Sequence, residues 1–251
     1  MKHMTMHYVR SEAAIKSFVR SAIMSRGIPT DIAAARDLAS ALYPSVMDQR
    51  AYLAAREGEL ILDEFSDLSP AKRRFYPLSA VEEATLNAAG INPDNPEVLL
   101  EHLDPTTQKL ARVKVHPYLD PDNPEALTRF IDDLTASAAR HVKSASRDLV
   151  ADTARLNKAG WARQLSGAEN CSFCAMLVSR GAVYSTKSVN FQTHNHCDCT
   201  ATIIRNRGDN YPGKEAAVRL NDMYRASGNN LTKFRQLLNE EVGESLESLA
   251  A

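Results

Sequence analysis

The chain has 251 residues, of which 44% are hydrophobic, 24% charged and 6% aromatic, so its composition is that of a folded protein rather than a disordered or collagen-like one. Thirty Lys and Arg side chains stand against 31 Asp and Glu, and the formal net charge of -1 indicates no class of partner. No stretch approaches the ~18 consecutive apolar residues of a membrane-spanning helix, and the polar start lacks the apolar run of a secretory signal. We therefore expect a protein made and kept in a cytoplasm, without membrane contact.

The predicted elements begin with a helical N-terminal region over residues 1–120. Ser11 is placed to cap the first helix, because Ser is a preferred N-cap and an apolar helical pattern follows it. A second helix is predicted from about Thr30. Pro44 predicts a bend or a restart in that helix, which then continues to Leu60.

Three further start signals follow. Ser79 and Glu82 have the spacing of a capping box, in which each side chain binds the backbone N–H of the other residue. The pentapeptide Pro-Asp-Asn-Pro-Glu occurs at 93–97 and again at 121–125, with Asn as N-cap and Pro at the first helical position. We expect a helix after each signal and a loop between Leu60 and Leu78.

The strongest periodic pattern is one long amphipathic helix in the region 121–158, from Pro124 to about Lys158. Its apolar positions recur mostly every three or four residues: Leu127, Ile131, Leu134, Ala138, Val142, Ala145, Leu149 and Ala154. Short β-prone pieces follow at Ala182 to Tyr184 and Thr200 to Ile204. Closing helices are predicted in the region 211–251.

Basic residues are concentrated in the second half of the chain. Residues 140–207 hold 10 basic and 4 acidic side chains, a balance of +6, whereas residues 1–139 hold 15 basic and 20 acidic, a balance of -5. Such a stretch could bind a phosphate backbone or an acidic protein surface. The alternative is that it forms a solvent-exposed face without a partner. The candidate contact residues for nucleic acid or protein are Arg140, Lys143, Arg147, Arg155 and Lys158.

All four cysteines lie between Cys171 and Cys199, and two histidines lie among them. A C-x-x-C pair suits zinc because its turn lets two sulfurs face one point, and zinc takes about four thiolate or imidazole ligands. The candidate metal ligands are Cys171, Cys174, His194, Cys197 and Cys199, and His196 competes with His194. Six residues thus compete for four places. Our preferred set is Cys171, Cys174, His194 and Cys199, with Cys197 as the substitute.

Three interpretations of this cluster are open. A structural zinc site would supply folding energy to a segment too poor in apolar residues to order itself. Disulfides would form instead in an oxidising medium. A catalytic Cys–His pair needs a geometry that the adjacency of His196 and Cys197 does not supply. The predicted fold class is mainly α, with a long central amphipathic helix and a small α+β zinc-stapled module at 159–210, which Trp161 packs onto the long helix.

The stretch from Ala159 to Ile204 resembles the Mu F-like head-morphogenesis family of tailed bacteriophages, and most of all the minor capsid proteins of actinobacterial phages and prophages. The specific element of this resemblance is C-x-x-C followed by H-x-x-C-x-C, which Cys171, Cys174, His194, Cys197 and Cys199 match. The resemblance is diffuse over the preceding helix and absent from the first hundred residues.

The resemblance implies a minor capsid protein that is incorporated into the procapsid in a few copies through contact with the portal, and that takes part in assembly and in DNA packaging or exit. Its expected partners are the portal protein and capsid or scaffold protein, with possible non-specific DNA contact. Its expected location is the virion, in the capsid interior or at the portal vertex, after assembly in the host cytoplasm.

Two other functions remain as alternatives. Related proteins are often called capsid maturation proteases, but no common hydrolase, metalloprotease or nucleotide-binding motif occurs in the sequence, so no enzymatic activity is predicted from the residues. The second alternative is a zinc-containing nucleic-acid-binding module that uses the basic stretch.

Overall fold

The computed structural model describes residues 2–91, 98–103, 110–115, 124–166, 171–184, 193–206 and 208–242. Over these residues the protein is mainly helical, with two small antiparallel sheets, as the sequence predicts. The helices are α1 (Lys2–Arg26), α2 (Ile32–Glu64), α3 (Leu78–Ala89), α4 (Pro124–Leu156), α5 (Ser172–Val178), α6 (Lys214–Ala226) and α7 (Leu231–Val242). The strands are β1 (Val98–Leu103), β2 (Leu110–Val115), β3 (Gly160–Gln164) and β4 (Thr200–Ile204).

The chain divides into two compact units. Unit 1 comprises Met1–Ser11, Arg50–Arg74 and Arg140–Ala251, and unit 2 comprises Glu12–Gln49 and Phe75–Ala139. The four regions predicted along the sequence stay a prediction. Among the described residues, no helix combines the length and the apolar character that crossing a membrane requires.

The first helix starts earlier than predicted. α1 begins at Lys2, so Ser11 lies inside the helix with its side chain fully buried, and its prediction as N-cap is wrong. The reason is that the buried stripe continues backwards from Ile15 through Tyr8 and Met4, at helical spacing.

The second helix is also longer than predicted. The carboxylate of Asp31 accepts a hydrogen bond from the backbone N–H of Ala34 at 2.8 Å and caps α2, close to the start predicted at about Thr30. The helix does not restart at Pro44, which lies inside it. It ends at Glu64, and the predicted loop is shortened accordingly.

Of the three later start signals, the first and the third are followed by helices as predicted, and the second is not. α3 begins at Leu78 after Pro77 without a side-chain cap, so Ser79 is in its first turn and forms no capping box. The first pentapeptide, 93–97, lies outside the described residues, and strand β1 follows it instead of a helix. β1 pairs with β2, in which residues 111–115, ARVKV, alternate apolar and basic side chains as a strand does.

The long amphipathic helix is confirmed. α4 begins at Pro124 with Glu125 in its first turn, as the second pentapeptide predicts, and its 33 residues end at Leu156. Residues 121–123 lie outside the described residues.

The core of unit 1 joins α4 to the cysteine module. β3, which was not predicted, pairs with the predicted β4. The ring of Trp161 on β3 stacks on Tyr184 with 4.4 Å between centroids, and both rings share a hydrophobic core with Leu149 of α4 and with Cys174. The predicted packing of Trp161 is confirmed. The predicted strand at Ala182 to Tyr184 is reduced to a single bridge between Tyr184 and Trp161.

Candidate metal centre

Two short turns carry the cysteines. Cys171 is the N-cap of α5, and its sulfur accepts a hydrogen bond from the backbone N–H of Cys174 at 3.4 Å. This local arrangement turns the sulfurs of the C-x-x-C pair toward one side of the helix start. Cys197 and Cys199 lie in the second turn, directly before β4.

The fold brings the two turns together. The Cys174 sulfur lies 3.3 Å from the Cys197 sulfur, which lies 2.9 Å from the Cys199 sulfur. On the other side, Nε2 of His194 lies 2.8 Å from the Cys171 sulfur and 3.6 Å from the Cys174 sulfur. The ligand atoms thus form two overlapping groups of three, and Cys174 belongs to both.

These separations fit ligands of a shared cation. Each cysteine is a free thiol, so the disulfide interpretation does not describe this structure. Two thiolates on a tetrahedral zinc, each about 2.3 Å from the ion, are separated by about 3.8 Å, whereas a disulfide bond is about 2.05 Å. Sulfurs at 3.3 Å and 2.9 Å need only a small outward movement to accept an ion between them.

The structure distinguishes the two competing histidines. Nδ1 of His194 donates to the carbonyl oxygen of Asn195 at 2.5 Å, which leaves the lone pair of Nε2 directed at Cys171 and Cys174. Histidines that bind metals commonly donate their other ring N–H to a carbonyl or carboxylate in this way. His196 is exposed and belongs to neither ligand group. His194 is therefore the candidate ligand.

Two buried arginines contact the second turn. Arg147 of α4 is fully buried and donates to the carbonyl oxygens of Cys199 at 2.8 Å and Cys197 at 2.5 Å. Arg163 of β3 is 2% exposed and donates to the Cys199 sulfur at 3.4 Å. Two guanidinium charges therefore lie inside the protein next to a group of thiols.

A third basic residue, Lys143, binds Asp198, the residue between Cys197 and Cys199. Lys143, one helical turn before Arg147, is buried and forms an ion pair with the partly exposed carboxylate of Asp198. The hydroxyl of Ser166, just after β3, donates to the Asp198 carbonyl oxygen. The second turn is thus held by α4 on one side and by the end of β3 on the other.

The surroundings also change how readily the thiols ionise. A hydrogen bond from Cys174 lowers the pKa of Cys171 to about 5, against the opposing effect of burial. Hydrogen bonds from Cys174 and Cys199 hold the pKa of Cys197 well below its usual range. Thiolates are the form in which cysteine binds metals, so these two shifts favour ligation by Cys171 and Cys197, whereas hydrogen bonds with Cys171, Cys197 and Cys199 raise the pKa of Cys174.

The five predicted basic contact residues differ in their exposure. Lys143 and Arg147 are buried against the cysteine turn, so they are not available to an external partner. Arg140 is partly buried, with its Nε donating to Asn195 at 3.1 Å. Arg155 and Lys158 are both exposed, and for these two the contact stays a prediction.

Sequence reasoning missed a buried polar network that adjoins the site. The Tyr8 hydroxyl bonds to the Ser146 hydroxyl at 2.7 Å, which donates to the carboxylate of Glu57 at 2.5 Å. The guanidinium of Arg147 lies 6.0 Å from the centre of the Tyr8 ring. Residues from α1, α2 and α4 thus meet beside the cysteine turn, and only their burial in the fold reveals this.

Fold and site together define a mainly helical protein whose Cys/His cluster could hold a metal ion, with a donor set consistent with zinc. The sequence model of the VG15 protein family matches residues 2–227, a range that includes all five ligand candidates. The chain belongs to the VG15 protein family. No curated protein and no solved structure matches it.

Proposed function

We propose that the protein is a structural minor capsid component in the head morphogenesis of a tailed phage or prophage, and that a zinc ion staples its cysteine module. The observation that carries the proposal is the convergence of C-x-x-C and H-x-x-C-x-C into one cluster. This is the element through which the chain resembles Mu F-like proteins, and it lies within the range matched by the VG15 family.

The proposed role of zinc is to supply folding energy. The two turns come from separate parts of the chain, and a zinc ion bound by both closes the intervening segment into a compact unit. Cys171, Cys174, His194, Cys197 and Cys199 are the residues that would hold it. The proposed partners are the portal protein and capsid or scaffold protein, which a rigid module is suited to contact.

The zinc part is tested by metal analysis of the full chain purified without chelator. We expect about one zinc per chain, released together with the loss of ordered structure when a chelator is added. Well under one zinc per chain in protein whose four thiols are all free and reduced would refute the zinc staple.

The capsid part is tested in the strain that carries the gene. We expect mass spectrometry of purified heads to detect the chain, at far fewer copies than the major capsid protein. We also expect it to co-purify with the portal protein from the same genome. Heads that form in normal yield and lack the chain would refute the role.

One observation favours a second candidate, the capsid maturation protease. The Cys171 sulfur lies 2.8 Å from Nε2 of His194, whose other ring nitrogen donates to the Asn195 carbonyl oxygen, which is the arrangement of a nucleophile, a base and an orienting group. Under this alternative, Cys171→Ala would leave assembled heads whose capsid or scaffold protein is uncleaved. Normal cleavage in that variant would exclude the alternative.

A further inference from the structure

Five candidate ligands surround a site that needs four, and they are not equivalent. We propose that Cys174, Cys197 and Cys199 form a permanent thiolate triad, whereas Cys171 and His194 share the fourth ligand position and substitute for each other. This inference rests on the proposed zinc site and goes further by assigning different roles to its ligands.

Burial separates the triad from the other two residues. Cys174, Cys197 and Cys199 are 1%, 3% and 0% exposed, and they form one of the two ligand groups by themselves. Cys171 and His194 are both partly exposed. The triad is therefore enclosed on the protein side of the site, and the remaining pair forms its solvent side.

Charge balance supports three thiolates in the interior. Buried thiolates need nearby positive charge, and a zinc ion bound by three of them leaves a net charge of -1. Arg163 donates directly to the Cys199 sulfur, and Arg147 donates to the carbonyl oxygens on either side of Asp198. These guanidinium groups sit at the triad, so the protein itself offsets the negative charge there.

The solvent side offers two donors for one position. The Cys171 sulfur and Nε2 of His194 are neighbours at 2.8 Å, and neither belongs to the ligand group of Cys197 and Cys199, so both donors approach the site from the same side. Each lies near Cys174, and His194 already has its Nδ1 proton directed to a carbonyl. Either residue can thus complete the site when the other is absent.

The consequence is a specific pattern of mutational effects. Removal of Cys171 or His194 alone leaves a complete set of four ligands, whereas removal of both leaves three. Removal of Cys199 breaks the triad at the position that Arg163 contacts, where no substitute ligand is available within the two described groups. The two solvent-side substitutions should therefore be strongly non-additive.

The test is zinc affinity of the full chain, measured by competition with a chromophoric chelator. We expect Cys171→Ala and His194→Ala each to change the affinity by less than about threefold, and the double variant and Cys199→Ala each to lower it by more than about 100-fold. Equal large losses in both single solvent-side variants would overturn the proposal. So would near wild-type affinity in Cys199→Ala.

The contribution of the arginines to zinc affinity is tested with a matched pair of variants on α4 and with two variants of Arg163 on β3. Arg147→Gln should lower the zinc affinity about 10- to 100-fold, the usual effect of removing an outer-shell partner, whereas exposed Arg155→Gln should leave it unchanged. Arg163→Lys retains a charge at Cys199 and should bind zinc more tightly than Arg163→Gln. Equal affinities in all four variants would overturn the charge-balance argument.

One measurement needs no variant and covers the case in which Cys199→Ala does not fold. X-ray absorption at the zinc edge of the wild-type chain should show at least three sulfur ligands, and two or fewer would overturn the triad. A wild-type chain that binds no zinc refutes the proposed staple itself. A chain that binds zinc but does not follow the predicted pattern of ligand effects refutes only this inference. Absence of the chain from purified heads refutes only the capsid role.

Discussion

The two units differ in what they bury. Every charged or histidine side chain that is buried in the described part of the chain belongs to unit 1: Arg50, Glu57, His141, Lys143, Arg147 and Arg163. In unit 2 the buried polar side chains are neutral. Thr85 and Thr135, for example, bond to carbonyl oxygens of their own helices at 2.8 Å and 2.7 Å.

This difference implies two sources of stability. Unit 2 buries aliphatic and aromatic side chains such as Leu42 and Phe130, so its stability comes from hydrophobic burial and close packing. Unit 1 also has an apolar core, but its buried charges stabilise it only while they remain balanced. Loss of a metal, of an ion-pair partner or of a proton should therefore affect unit 1 far more than unit 2.

The largest expected effect, on zinc binding and on stability, comes from substitution of Cys174, which belongs to both ligand groups. Cys174→Ser should abolish zinc binding and unfold unit 1, because structural zinc contributes apparent binding free energies of about 10–16 kcal/mol, as large as the whole stability of a domain. Fluorescence of Trp161, the single tryptophan, reports on this unit. Retention of native fluorescence and of bound zinc would contradict the prediction.

The next largest effect comes from breaking the ion pair between buried Lys143 and Asp198. Lys143→Met should destabilise unit 1 by about 3–5 kcal/mol, because it leaves the Asp198 carboxylate without its buried cation. Urea unfolding followed by Trp161 fluorescence measures this loss. Adding Asp198→Asn to the variant should restore part of the stability, and a double variant less stable than Lys143→Met would count against the explanation.

A core substitution in unit 2 should behave differently. Leu42→Ala removes a fully buried side chain and should lower the free energy of unfolding of unit 2 by about 3 kcal/mol. We expect the same loss with zinc bound and after chelation. The exposed Met24 in the same unit provides the control, because Met24→Ala should cost little. A cost for Leu42→Ala that depends on zinc would break the contrast between the units.

The smallest effect concerns pH. Burial raises the pKa of Glu57 from 4.5 to about 7, so the folded state binds more protons than the unfolded state between these values. Stability should therefore fall as the pH rises through this window, by at most about 3 kcal/mol, and level off above it. Glu57→Gln should remove this fall, as measured by urea unfolding at pH 5 and pH 8.

The exposed Glu59, on the same helix, gives the matched control for this measurement. Glu59→Gln should keep the wild-type dependence on pH. If both variants show the same dependence, burial of Glu57 is not its source.

The sequence predicted what local patterns determine. The periodicity of α4 and the Pro124 start signal were sufficient for that helix, and the spacing of the cysteines was sufficient for the ligand candidates. The same start signal is not sufficient at 93–97, because the residues that follow it, VLLEHL, form a strand by pairing with β2 further along the chain.

The roles of the basic residues were not predictable in this way. The residue types favour a surface position for Lys143 and Arg147, because charged residues are rarely buried unless they are paired. Their partners, Asp198 and the carbonyl oxygens of the cysteine turn, lie about fifty positions later in the chain. Only the tertiary fold brings these groups together, so the residue types alone favour the wrong assignment.

The spacing of Lys143 and Arg147 also limits which changes in chain length α4 tolerates. Four residues apart, the two side chains project from one face of the helix and hold three successive residues, 197–199. Each added or deleted residue rotates everything beyond it by about 100° around the helix axis. A single insertion between them would turn one of the two side chains away from the turn, so this stretch should accept substitutions on its outer face but no change in residue number.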